Sequence, residues 1–117
     1  VENSRFVILG DLNASSTEGD AINTGIANLI THQNINDAKP QSLGGKSHST
    51  DNINAPYHTA YWRMRADYVL PSVQGFNVIN SGVFWPEKLD ADFRLIKDRQ
   101  ASSDHRLVWV DLNITPL

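Results

Sequence analysis

The chain has 117 residues, 40% of them hydrophobic and 20% charged, enough for one ordinary globular domain or part of one. Ten Lys and Arg against 13 Asp and Glu give a net charge of −3, which disfavours a basic nucleic-acid module but leaves open an enzyme that meets phosphate through a bound cation. Cysteine is absent, which excludes disulfides, zinc-thiolate sites and thiol nucleophiles, and no apolar run approaches the ~20 residues that a membrane-spanning helix needs.

The chain opens at Val1 without Met, and the start reads as a cut through a longer protein. Arg5-Phe6-Val7-Ile8-Leu9 predicts a buried strand that ends at Gly10-Asp11. Ser15, Ser16, Thr17 and Asp20 are candidate helix caps. Ile22, Ile26, Leu29 and Ile30 recur at helical spacing and predict an amphipathic helix over residues 20–32. Residues 39–56, with Pro40, Gly44, Gly45 and Pro56, read as a polar loop. Tyr57–Trp62 reads as an aromatic edge strand, and Ala66–Leu70 as a strand stopped by Pro71. Two extended stretches follow, 76–79 and 82–85, then an irregular charged segment over 87–101 with a helical turn, then a last strand over 106–114. The first and last strands are apolar on both faces, so each expects cover on both sides. The one predicted helix can cover only one of them.

Three short acidic constellations carry the chemistry. They are Gly10-Asp11-Leu12-Asn13, Arg65-Ala66-Asp67-Tyr68-Val69-Leu70, and Ser103-Asp104-His105-Arg106-Leu107-Val108. Each sets an acid at the end of an apolar strand, where a layered α/β protein gathers polar groups into one crevice. Several acids and one His clustered this way suit metal-assisted attack on a phosphate. A carboxylate can orient the attacking water, and a His held by a second carboxylate is fixed in tautomer and aim. Taken singly, Asp11 and Asn13 also fit a simple turn after a strand.

The ordered set resembles the second half of the endonuclease/exonuclease/phosphatase superfamily, the DNase I-like fold. The likeness runs from about Arg5 to Leu112, with one departure at Ala66, where the family has a larger apolar residue. Ser81–Pro86 and Val108–Leu112 resemble members found in large secreted bacterial proteins, which implies an extracellular or periplasmic setting. The resemblance implies an α/β (α+β) class, with one mostly antiparallel sheet and a flanking helix forming half of a four-layer sandwich. It also implies that residues 1–117 are the C-terminal portion of a single domain. The implied activity is hydrolysis of a phosphodiester or phosphomonoester with Mg²⁺ (or Mn²⁺ or Ca²⁺), on a phosphorylated substrate or nucleic acid.

Residue by residue, the resemblance implies that Asp11 orients or activates water and is a secondary metal ligand. Asn13 contacts phosphate or holds Asp11, Asp67 orients His105, and Asp104 is a metal ligand. His105 donates to a non-bridging phosphate oxygen. The family's main metal-binding Glu lies in a first half that this sequence does not show, and Glu2, Glu18 and Glu87 lack its strand context. The chain is therefore expected to carry half a site, to be inactive alone, and to cover its bare sheet face with the missing half or with a second copy. No membrane partner is expected.

Around these motifs, Arg65 and His58 are candidate substrate contacts, and Tyr57, Tyr61 and Trp62 either pack an edge or stack on a base. His32 and His48 read as ordinary helix-end and loop residues, and Trp85 and Trp109 as core. A non-catalytic folding or interaction module that keeps the motifs is the alternative reading. So is a metal hydrolase whose remaining ligands all lie in this chain.

Overall fold

A computed structural model describes residues 3–117; Glu2 lies outside them. The apolar run near the start becomes strand β1, Val7–Asp11, which ends in the acid rather than before it. It pairs antiparallel with β2, Asp67–Pro71, in a register that sets Ile8 opposite Leu70, Leu9 opposite Val69 and Asp11 opposite Asp67. Side chains alternate along a strand. Ile8, Tyr68 and Leu70 therefore face one way, and Leu9, Val69 and the two aspartates face the other.

Helix α1, Asn23–Ile30, covers the first of these faces with Ile26, Leu29 and Ile30. Burial of a side chain such as Ile26 contributes roughly 1.5–3 kcal/mol. The helix starts later than its apolar spacing predicts. The Ser15 hydroxyl accepts from the amides of Thr17 and Glu18, so it closes a turn of its own, and the helix begins at Asn23, after an extended Ile22 that gives it no side-chain cap.

The polar stretch expected to be a loop contains a second helix, α2, Leu43–His48. Ser42 caps it by accepting from Gly45 N–H at 2.9 Å. The two glycines that marked a loop instead serve packing. Gly44 donates its N–H to the Trp85 carbonyl at 3.0 Å, and a Cβ there would collide with that oxygen. The expected edge strand at residues 57–62 is also absent. Pro56 lies in a 3₁₀ turn, Ala55–Tyr57, and the chain then folds back on itself, with Ala60 bridged to both Met64 and His105.

The two stretches expected around residues 76–85 form one strand, β3, Phe76–Phe84, with an irregularity between Val78 and Asn80. It pairs antiparallel with β4, Leu107–Ile114. Gly82 lies under the Trp109 ring, so Trp109 is only partly buried and rests on the ribbon. Val83, Trp85 and Ile96 form the core of this half, joined by Phe84, Phe93 and Val108. The charged segment before β4 holds a 3₁₀ turn, Ala91–Leu95.

The class is α+β with antiparallel pairing, consistent with part of a DNase I-like fold. The strands form two two-stranded ribbons rather than one sheet. The double apolarity of the outer strands has a visible result: Leu9 is 67% exposed and Leu107 68%. Among the described residues, no helix is long and apolar enough to cross a membrane.

Candidate active site

Three backbone devices bring the acidic motifs together. The β1–β2 register sets Asp11 beside Asp67 on one face. The turn after β1 is closed by Asp11 Oδ1, which accepts from Asn13 N–H at 2.9 Å, while Leu12 and Asn13 both donate to the Ala66 carbonyl. Asn13 itself takes a left-handed φ of 47°, a conformation that asparagine tolerates better than most residues. The segment before β4 is then laid against residues 59–61: Arg106 N–H donates to the Thr59 carbonyl at 2.7 Å and Tyr61 N–H to the Asp104 carbonyl at 2.9 Å. This lands His105 on Asp67.

His105 Nδ1 lies 3.0 and 2.9 Å from the two Asp67 oxygens, and its Nε2 faces Asp11 Oδ2 at 3.8 Å. With Asp67 ionised, the Nδ1 proton is donated to it and Nε2 is left free. The hydrogen bond to Asp67 holds the imidazole pKa above its ordinary 6.5; partial burial opposes this, and the charges of Asp67, Asp11 and Asp104 reinforce it. The Trp62 ring meets the His105 ring edge-on at 4.9 Å and remains 45% exposed. Thr59 is buried behind Asp67 and donates its hydroxyl to Oδ2 at 2.7 Å.

Asp11, Asp67 and His105 each offer an atom within 4.8 Å of the others, a group that could hold a metal ion. The donors fit a hydrated hard cation better than a closed cage. Both Asp67 oxygens serve His105, and Asp11 Oδ1 serves Asn13, which leaves Asp11 Oδ2 as the free hard oxygen. Mg²⁺ commonly keeps several waters and takes only one or two carboxylates plus substrate phosphate.

The other candidates lie elsewhere. Asp104, expected as a metal ligand, is outside this group; its carboxylate is 3.2 Å from Arg99. Arg65, expected to meet substrate, forks onto Asp37 at 2.8 and 2.7 Å and stacks over the Tyr68 ring. Burial pushes the Asp37 carboxyl upward, but the Arg65 hydrogen bonds and charge outweigh it and hold the pKa below 3.8. Burial likewise pushes the Tyr68 hydroxyl up to about 12; it donates to the Ala14 carbonyl. His58, expected as a substrate contact, is fully buried, with Nε2 2.7 Å from Glu18 Oε1. Sequence reading missed Thr59, Glu18 and Asp37. Each acts on a residue 8, 40 or 28 positions away, and no local pattern announces such a partner.

A free imidazole nitrogen, a carboxylate behind it and a second carboxylate in front form, on an α+β scaffold, an arrangement that hydrolytic chemistry could use. The profile of the Endonuclease/Exonuclease/phosphatase family matches residues 1–105, and the chain belongs to that family. Comparison with curated proteins and with solved structures gives no significant match.

Proposed function

We propose that the chain supplies the water-activating and phosphate-stabilising side of a cation-dependent phosphoesterase, acting on a phosphodiester or phosphomonoester. The observation that supports this best is the paired use of His105, bound to Asp67 through Nδ1 and open toward Asp11 through Nε2. Protonated, as its raised pKa favours, Nε2 donates to a non-bridging phosphate oxygen as charge builds in the transition state. The Asp11 carboxylate orients the attacking water and takes its proton. Asn13, fixed by the turn, offers its side-chain amide to phosphate. Mg²⁺, or Mn²⁺ or Ca²⁺, would be held in part by Asp11 and would neutralise phosphoryl charge. Asp104 would join through water.

We further propose that residues 1–117 form the C-terminal portion of the catalytic domain, and that alone the chain is weakly active or inactive. One free carboxylate oxygen is a poor hold for a divalent cation. The exposed Leu9 and Leu107 would lie under a preceding half of the domain or a second copy. The same shortage of free ligands favours, as second reading, a non-catalytic module that retains the motifs. An extracellular or periplasmic setting remains a proposal carried by the likeness of residues 81–86 and 108–112 to secreted members.

The test is hydrolysis of bis(p-nitrophenyl) phosphate and p-nitrophenyl phosphate with Mg²⁺, Mn²⁺ or Ca²⁺, by the chain alone and joined to the segment that precedes it in its reading frame. The expected result is cation-dependent release that rises strongly in the joined form. No release in either form with any of the three cations would leave the module reading.

A further inference from the structure

We propose that Thr59 is a positioning residue for the Asp67–His105 pair, an inference that rests on the phosphoesterase reading above. Thr59 is 1% exposed. Its hydroxyl donates to Asp67 Oδ2 at 2.7 Å and accepts from the amides of Ala66 at 2.9 Å and Asp67 at 3.0 Å. A hydroxyl has one proton and two lone pairs. Two amide donors occupy the acceptor side, so the proton is left with one direction, toward the carboxylate. The orientation of this bond is imposed by the backbone, and the carboxylate cannot turn from His105 without abandoning a buried donor.

The main chain of Thr59 acts on the other partner. Its carbonyl accepts from Arg106 N–H at 2.7 Å, one residue beyond His105, and its own N–H donates to the Met64 carbonyl at 3.1 Å. One residue thus fixes both the carboxylate and the segment that brings the imidazole to it. Thr59 meets no substrate in this account; it acts through Asp67.

The test compares Thr59→Val, which keeps the shape and removes the hydroxyl, with Thr59→Ser, which keeps the hydroxyl and removes a methyl. The first readout is the His105 ring in ¹⁵N-labelled protein at fixed pH, a measurement that needs no catalysis. Wild type and Thr59→Ser are expected to hold the neutral ring as the Nδ1–H tautomer, and Thr59→Val to show a mixture. The second readout is kinetic: in the form competent for hydrolysis, Thr59→Val is expected to lower kcat by about 10–100-fold with little change in KM, as loss of an orienting partner does. Thr59→Ser is expected to restore it. Should Thr59→Val fail to fold, Thr59→Cys, with its weak thiol donor, is expected to fall between wild type and loss on the ring readout. A folded Thr59→Val with the wild-type tautomer, a Thr59→Ser as impaired as Thr59→Val, or a Thr59→Cys identical to wild type would each overturn the proposal. Absence of cation-dependent hydrolysis in both the chain alone and its joined form would instead remove the phosphoesterase reading, while the ring measurement would still decide the positioning role.

Discussion

Among the described residues, His105 and His58 are each held at hydrogen-bond distance by a carboxylate, and what separates them is exposure. Asp67–His105 and Glu18–His58 both close at short range, 2.9 and 2.7 Å. His58 has no exposure, and its second nitrogen, Nδ1, is buried without a partner. His105 keeps 28% of its side chain open and turns its second nitrogen toward Asp11. Pairing fixes an imidazole in both places. Only His105 keeps its second nitrogen in the open, which on the function proposed above is where phosphate would meet it.

The comparison breaks most sharply at the carboxylates. Asp67→Ala is expected to lower turnover by about 10²–10⁴-fold in the hydrolysis-competent form, the scale of losing an acid–base partner, with the fold retained by circular dichroism. Glu18→Ala should do the reverse. It leaves His58 buried with neither ring nitrogen bonded, which costs about 1–3 kcal/mol, read by chemical denaturation. Turnover per folded molecule is expected to stay at the wild-type level. Equal kinetic damage from both substitutions would erase the distinction between the pairs.

Proton linkage sharpens it further. Folding raises the His105 pKa above 6.5. The stability it contributes is fully present below about pH 6.5 and is lost as pH rises through the raised value. His105→Gln should therefore lower Tm more at pH 5.5 than at pH 8.5. Asp37 has the opposite sign: folding lowers its pKa below 3.8, so the stability of its Arg65 pair is present above that value and fades as pH falls through the lowered one. The smallest effect is expected at Arg99→Ala, since that side chain is 80% exposed and its ion pair with Asp104 lies in solvent. Its Tm should stay within the error of the wild-type measurement.

The local parts of this architecture were legible in the chain. The strands containing Val7–Leu9, Asp67–Leu70 and Leu107–Ile114 lie within a residue or two of their apolar runs, because apolar side chains on both faces leave an unbroken signal. The α1 helix showed in the spacing of Ile22, Ile26, Leu29 and Ile30. The second helix did not, because Gly44 and Gly45 look like loop residues unless the approach of Trp85 is known. Tyr57–Trp62 has strand composition, yet Pro56 and a left-handed Arg63, with φ of 70°, turn it back. At the site, Asp11, Asn13, Asp67 and His105 were legible as motifs. What was not legible was which histidine would be open. That depends on Glu18, 40 residues before His58, and on the fold that buries the pair. The partner of Arg65 was hidden for the same reason, since Asp37 lies on a distant segment.

The measurement that bears most directly on the account is cation-dependent phosphodiester turnover by Asp11→Ala and His105→Ala, made in the hydrolysis-competent form. Both are expected to lose essentially all of it while remaining folded. Turnover at the wild-type rate in either variant would contradict a centre built on those two side chains.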